Sequence, residues 1–282
     1  MFFKVITHMD QTYSPVVLIV DDDEAVTRRM SRNFLQQTSM GVLVAQTLVN
    51  AANLIEDVDV RIDALVMDLN FREETRDDVR NLRDGLDFIQ FAQKVRPEVP
   101  TAVVSVEGDD VDKKAQAKKG KIRVDSWHQK LGNENGPLSA WDTIERDCLT
   151  RTLKADQGFR SRLKELKIDV RDLLTDEAIA EKVRKVIRLS RLTYLTDVGS
   201  DFHVCKPIEV ICTQQGKYRY SASAIQIGIA TSGEGDDPVE AINDLAEILV
   251  AEAKLFLTEA HEPVGYAAKV KKNLLSFLKV PN

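Results

Sequence analysis

The sequence predicts an α/β protein, in which a doubly wound parallel sheet is followed by a helical connector and a small α+β domain. Three observations support this prediction. Short apolar runs alternate with stretches of helical periodicity, a charged amphipathic segment follows, and β-branched runs then precede a long amphipathic helix. We divide the chain into a first domain at residues 14–154, a connector at 155–198 and an α+β domain at 199–282.

The first domain is predicted to alternate strands and helices. Strands are expected at Val16–Val20, Gly41–Ala45, 63–67, 101–106 and 121–127. Helices are expected at Glu24–Gln37, around 48–56, at 86–95 and from Ser139 onward. Continuous apolar strands separated by helices are typical of a parallel sheet that is covered on both faces.

Between residues 158 and 196 the sequence is highly charged, and apolar side chains recur mostly every three or four positions. This pattern predicts one or two amphipathic helices. No Pro- or Gly-rich linker separates them from the first domain, and their apolar stripe is long for a solitary surface helix. We therefore expect residues 160–195 to join two chains in a homodimer. The competing interpretation is that the stripe packs on the α+β domain within one chain.

The α+β domain is predicted from runs rich in β-branched and aromatic residues, bounded by turn residues. Strands are expected at 208–212, 218–225 and 228–231, and helices at 238–259 and 266–278. Asp237 can cap the first of these helices, with Pro238 as its first residue and Glu240 as the reciprocal acceptor.

Composition narrows the possible function classes. The chain is 43% hydrophobic with a net charge of −6, and it has no apolar run long enough to cross a membrane. A uniformly basic nucleic-acid surface is therefore not expected. Cys148, Cys205 and Cys212 are too widely spaced for a disulfide framework or a metal cluster. The N-terminus has no signal-peptide pattern, so we expect a cytoplasmic protein with reduced thiols.

Polar residues stand where four of the predicted strands end. Asp21, Asp22 and Asp23 follow the first strand, Asp68 follows the third, Ser105 is near the end of the fourth and Lys130 follows the fifth. Ligands of open α/β sheets bind beyond the carboxyl ends of the strands, so these groups should converge. Clustered carboxylates repel one another unless they hold a hard cation, and Mg²⁺ favours such ligands. The sequence thus predicts a magnesium site beside a carboxylate that can accept a phosphoryl group.

The motifs VVLIVDDDEAV, DALVMDLN, TAVVSVE and SWHQK resemble, in order, those of response-regulator receiver domains. The resemblance covers about 140 residues and implies a flavodoxin-like sheet of strand order 2-1-3-4-5. The resemblance implies that Asp21 and Asp22 are the metal-binding pair, that Asp68 is the phosphoacceptor and that Asn70 offers its backbone carbonyl to the metal. It also implies that Ser105 is the switch hydroxyl, Lys130 the phosphate-pairing lysine and Trp127 the switch aromatic residue.

By this resemblance the chain is a two-component response regulator and not an enzyme, apart from promoting its own phosphorylation and dephosphorylation. A sensor histidine kinase or a phosphotransfer protein is the implied donor. Four departures bear on phosphorylation kinetics and on the shape of the switch face, and they leave the acidic site intact. They are a long charged segment at 71–83, Val106 where a smaller residue is usual, Leu131 in place of proline, and a lysine-rich stretch that ends at Gly120.

The sequence allows several interpretations of the output function of the C-terminal region. Residues 209–257 weakly resemble the HicB-like antitoxin domain, a β-β-β-α fold, while an unassigned dimerisation or partner-binding domain fits the same pattern. Arg184, Arg188 and Arg191 would share one helical face, which suggests either nucleic-acid binding by a transcriptional regulator or, preferably, a solvated charged face. His203 and Cys205 lack further metal ligands nearby, so we expect a structural role for them.

Overall fold

The computed structural model describes residues 15–38, 40–105, 111–129, 190–216, 218–258 and 262–281. In the N-terminal half, the elements are β1 (Val16–Val20), α1 (Glu24–Gln37), β2 (Gly41–Ala45), α2 (Leu48–Glu56), β3 (Ala64–Met67), α3 (Gly85–Val95), β4 (Thr101–Ser105), α4 (Val111–Lys119) and β5 (Ser126–Gln129). In the C-terminal half they are β6 (Ser190–Leu195), β7 (His203–Val204), β8 (Ile208–Gly216), β9 (Arg219–Ser223), β10 (Gly233–Gly235), α5 (Pro238–Thr258), α6 (Tyr266–Phe277) and β11 (Leu278–Lys279).

The N-terminal half contains the predicted doubly wound sheet. Its five strands are parallel and lie in the order β2-β1-β3-β4-β5, which is the flavodoxin-like order. All five residues of β1 are completely buried because the strand is central and covered on both faces. The predicted fifth strand is displaced, since Lys121 adopts a positive φ of 55° and pairing with β4 begins only at Ser126.

The C-terminal half contains a second, antiparallel sheet of order β10-β9-β8-β6. Helix α5 packs on it and buries the predicted stripe, including Leu245, Leu249 and Phe256. The predicted capping arrangement is present in slightly altered form. Asp237 accepts hydrogen bonds from the backbone of Val239 and Glu240, while Glu240 accepts one from the backbone of Asp236.

Two predictions in this half are wrong. A helix was predicted to continue to residue 196, whereas Ser190–Leu195 is strand β6, paired along its whole length with β8. The β-branched and aromatic residues Thr193 and Tyr194 favour this pairing over the local helical pattern. A strand was predicted at 228–231, but Gly228 lies in a turn with φ of 80°, and the strand forms at Gly233–Gly235 instead. The rest of the predicted connector, 155–189, lies outside the described residues.

The two halves meet where β6 lies against β2, the edge strand of the parallel sheet. The hydroxyl of Thr193 donates to the carbonyl of Val42 and accepts from its N–H, both at 3.0 Å. Arg191 is buried, and its guanidinium donates to the carbonyl oxygens of Leu35 and Thr38 at the end of α1. A cation at a helix C-terminus is stabilised by the free carbonyls and by the helix dipole. The contact with β6 also covers a sheet edge that could otherwise pair with another chain.

Within the described parts of the chain, no helix combines the length and the apolar character that a membrane span requires.

Candidate functional site

The register of the parallel sheet brings Asp21 and Asp68 side by side. Val20 of β1 pairs with Met67 of β3, so the next residue on each strand is an aspartate at the carboxyl edge of the sheet. The backbone N–H of Asp68 donates to the carbonyl of Val20 at 2.9 Å, which extends the pairing by one step. The convergence predicted for the residues after the first and third strands is therefore present.

Three carboxylates form one acidic group at this edge. One carboxylate oxygen from each of Asp21, Asp22 and Asp68 lies within 4.8 Å of the other two. Asp21 is completely buried and Asp68 is 5% exposed. Like charges in such surroundings raise the free energy of the folded protein unless a cation or hydrogen-bond donors offset them. Three hard oxygen donors are a ligand set that suits Mg²⁺.

Asp23, the third aspartate of the run, does not join this group. Its side chain accepts hydrogen bonds from the backbone N–H groups of Ala25 and Val26, at 2.9 and 3.2 Å. Asp23 is thus the N-cap of α1, a role for which aspartate is well suited. Its backbone N–H donates to Oδ1 of Asp21 at 3.0 Å, so the cap also helps to fix the buried carboxylate.

Asp22 is held by a residue that the sequence did not single out. Oδ2 of Asp22 accepts from the backbone N–H of Arg72 at 2.7 Å, from the Arg72 guanidinium at 3.1 Å and from the Thr75 hydroxyl at 3.2 Å. Partial burial raises the pKa of Asp22, but these hydrogen bonds and the positive charge of Arg72 outweigh it, so the pKa lies below its ordinary value. Asp22 therefore stays ionised at neutral pH.

Ser105 lies at the carboxyl end of β4, the strand next to β3, and it is completely buried. Its hydroxyl has no hydrogen-bond partner among the residues that the structure describes. A buried hydroxyl is normally satisfied, so its presence beside the acidic edge favours a ligand with an acceptor oxygen. This environment is consistent with the predicted role of Ser105 as the switch hydroxyl.

Of the remaining predicted site residues, Asn70 and Trp127 lie within the described part of the chain and Lys130 does not. Asn70 lies in the loop after β3, two residues beyond Asp68, with an exposed side chain. Trp127 is partly buried against the core of the sheet, and the ammonium of Lys114 lies 5.6 Å from the centre of its ring. Lys130, the predicted phosphate partner, lies outside the described residues, as do Val106 and Leu131.

Gly85 is a further contact of the site that was missed from the sequence. It begins α3, directly after the N-cap Asp84, and its N–H donates to the carbonyl of Leu69 at 3.0 Å. A Cβ atom at this position would lie 2.0 Å from the carbonyl oxygen of Asp68. Only glycine lets the helix approach the backbone of Asp68 so closely. The signal in the sequence was a glycine directly after a good N-cap residue.

The other candidates from the sequence gain no support as sites. Asp21, Asp22 and Asp68 are the one group in the described residues that could hold a metal ion, and His203 and Cys205 do not belong to it. Cys212 is buried and Cys205 exposed, both as free thiols, while Cys148 lies outside the described residues. Arg191 is buried beneath α1 and is not on a charged helical face, so that part of the nucleic-acid interpretation is wrong.

Comparisons with known proteins bear on the N-terminal half. No family model matches the sequence, and no curated protein matches it. One similar solved structure is a CheY-like response regulator receiver domain protein from Methanospirillum hungatei, at 17% identity and a TM-score of 0.41, covering 51% of this chain and all of that one. Another is the receiver domain of the response regulator AraT from Geobacillus stearothermophilus, at 18% identity and a TM-score of 0.38, covering 51% of this chain and 100% of that one.

A third similar structure is described as an adenylate cyclase from Rhodopirellula baltica, at 17% identity and a TM-score of 0.40, covering 50% of this chain and 95% of that one. The HicB-like resemblance of the C-terminal half stays a prediction. Two of these three similar structures are thus response-regulator receiver domains, and their likeness covers the N-terminal half of this chain.

Proposed function

We propose that this protein is a two-component response regulator, which receives a phosphoryl group on Asp68 in the presence of Mg²⁺. The observation that carries the proposal is the group of three carboxylates at the carboxyl edge of the sheet, next to the buried hydroxyl of Ser105. A sensor histidine kinase or a phosphotransfer protein is the donor that fits such an acceptor. The chain then acts as a switch and does not turn over an external substrate.

The proposed roles combine the geometry of the acidic group with the motif resemblance. Asp21, Asp22 and Asp68 would hold the cation, and the carbonyl of Asn70 is a further candidate ligand from the chain. Bound Mg²⁺ would neutralise charge on the phosphoryl oxygens. A carboxylate oxygen of Asp68 forms the new bond to phosphorus while the phosphorus–nitrogen bond of the donor histidine breaks. Ser105 donates a hydrogen bond to the transferred group, and Lys130 supplies a positive charge to it.

The metal site is tested by Asp22→Asn. This change removes one of three charged ligands, and we expect Mg²⁺ to bind about tenfold or more weakly, since a ligand charge a few ångströms from a divalent ion is worth at least about 1.4 kcal/mol. Isothermal titration calorimetry with Mg²⁺ on the full chain measures this. Asp23→Asn is the matched control, because it removes the neighbouring charge while asparagine still caps α1. Equal Mg²⁺ affinity in Asp22→Asn and the wild type would refute the ligand assignment.

The homodimer also remains a proposal, with one restriction. Residues 190–195 of the proposed dimer segment form β6 and pack within the chain, so they do not contribute an interface. The rest of the segment lies outside the described residues. We expect a dimer at tens of micromolar that Leu173→Glu combined with Val183→Glu converts to a monomer, because a charge opposes burial of the apolar stripe. Analytical ultracentrifugation measures this, and a wild-type monomer with or without beryllofluoride would exclude the dimer.

The contact between the two halves indicates how a signal could leave the receiver half. The C-terminal half contacts the sheet at β2 and α1, and β5 lies at the opposite edge of the same sheet. A switch at Ser105 and Trp127 would therefore act on a face that differs from the contact with β6. This arrangement favours an output through a partner or a second copy of the chain. Regulation of transcription and an antitoxin-like adaptor role both remain predictions.

A further inference from the structure

The segment between β3 and α3 forms a structured strap, one end of which contacts the acidic site. We use this name for residues 71–83. Phe71 and Thr75 are buried, Glu73–Thr75 forms a 3₁₀ turn, and Asp77 pairs with Leu82 through two backbone hydrogen bonds. The guanidinium of Arg80 donates to Asp77 at 2.6 Å and to Glu56 of α2 at 2.8 Å. The strap is thus tied both to itself and to the neighbouring helix.

One end of the strap donates hydrogen bonds to one carboxylate oxygen of the acidic group. Oδ2 of Asp22 accepts three hydrogen bonds, two from Arg72 and one from Thr75. The Arg72 guanidinium also donates to the backbone carbonyl of Asp22. A carboxylate oxygen with three donors has little capacity left for a metal ion. The strap therefore offers Asp22 a cation from within the chain.

We propose that Arg72 is an internal counter-ion that competes with the divalent cation for Asp22, so that metal binding releases this end of the strap. The inference rests on the proposed function and deepens it. A guanidinium beside Asp22 can offset part of the negative charge of the acidic group without metal. It also repels a dication that binds a few ångströms away.

The competition has two consequences for the wild-type protein. Mg²⁺ binds more weakly than it would to the carboxylates alone, because displacement of Arg72 from Asp22 costs free energy. The metal-free protein keeps its stability, because the ion pair offsets the repulsion within the acidic group. Arg72 therefore makes the site depend on the concentration of free Mg²⁺, and occupancy of the site changes the conformation of the strap.

Arg72→Gln tests the inference directly on the full chain. We expect Mg²⁺, titrated alone by calorimetry, to bind severalfold more tightly, since a positive charge near the ion is removed but solvent screens this 62% exposed side chain. Thermal unfolding supplies a second readout. Without metal the variant should melt at a lower temperature than the wild type, and this difference should vanish or reverse at saturating Mg²⁺.

Arg83→Gln is the matched control, because Arg83 is an exposed arginine of the same strap that bonds Asn81 and not the acidic group. It should leave Mg²⁺ affinity unchanged. Equal affinity in Arg72→Gln and the wild type, or weaker affinity in the variant, would overturn the competition while leaving the metal site intact. Failure of all three proteins to bind Mg²⁺ would overturn both the competition and the proposed metal site.

Discussion

Replacement of Gly41 by alanine is expected to destabilise the protein by at least about 3 kcal/mol, because the added methyl group would collide with backbone and not with a flexible side chain. A Cβ atom at residue 41 would lie 1.7 Å from the carbonyl oxygen of Leu192 and 3.1 Å from the Cα of Thr193. Relief of this overlap would require β6 to move away from β2. That movement would also break the hydrogen bonds between Thr193 and Val42.

Chemical denaturation followed by circular dichroism measures this loss. Gly120→Ala is the matched control, because its Cβ would lie 3.3 Å from the flexible Ile122 side chain and 3.4 Å from the backbone carbonyl oxygen of Gln116, so little has to move; we expect a change below about 1 kcal/mol. If Gly41→Ala does not fold, Thr193→Val is a milder test of the same contact. It should lower the free energy of unfolding by about 1–3 kcal/mol, because it leaves the N–H and carbonyl of Val42 without their partner. Neutral effects of both changes would show that the halves do not pack through β2 and β6.

Asp68→Asn is expected to abolish uptake of a phosphoryl group while leaving the protein folded. Asparagine has almost the same shape as aspartate, but its amide lacks the nucleophilic carboxylate oxygen. The change also removes one of three clustered negative charges, so the free energy of unfolding without metal should be unchanged or higher. Uptake is measured by intact-protein mass spectrometry after incubation with acetyl phosphate and Mg²⁺.

Asp23→Asn serves again as the neighbouring control, and it should take up the group as the wild type does, because Asp23 caps α1 and lies outside the acidic group. Beryllofluoride with Mg²⁺ should raise the melting temperature of the wild type and of this control, but not of Asp68→Asn. Uptake by Asp68→Asn to the wild-type extent would show that the acceptor is another residue.

The acidic site could be predicted from the sequence because the rule behind it is local. An apolar strand such as Val16–Val20 identifies a buried parallel strand, and the residue after it then lies at the carboxyl edge. The same rule, applied after β3, places Asp68 beside Asp21 without any knowledge of the loops. Parallel pairing in register is sufficient to bring the two carboxylates together.

The contacts made by Arg72, Gly85 and Gly41 could not be predicted in this way. Arg72 lies in a segment with many charges of both signs, and only the path of the strap decides that its partner is Asp22. The two glycines are required by close approaches of backbone, to Asp68 and to Leu192 respectively. Such approaches depend on distant parts of the chain, and they leave no periodic pattern in the sequence.

Strand β6 shows how tertiary pairing overrides a local pattern. The residues before it have helical spacing, which predicts a helix that continues through Arg191. In the structure Arg191 and Thr193 point into the contact with α1 and β2, while Leu195 joins the core. Tyr194, on the opposite face, is also buried, so pairing with β8 and burial of both faces decide the conformation of this segment.

The central claim is that Asp68 is the acceptor of the phosphoryl group, and chemical location of that group tests it most directly. Wild-type protein is incubated with acetyl phosphate and Mg²⁺, reduced with borohydride to convert an acyl phosphate to a stable alcohol, digested and sequenced by mass spectrometry. We expect the reduced residue at position 68 alone, and none when Mg²⁺ is removed by a chelator. A reduced residue elsewhere in the chain, or equal modification of Asp68 without Mg²⁺, would contradict the proposed site.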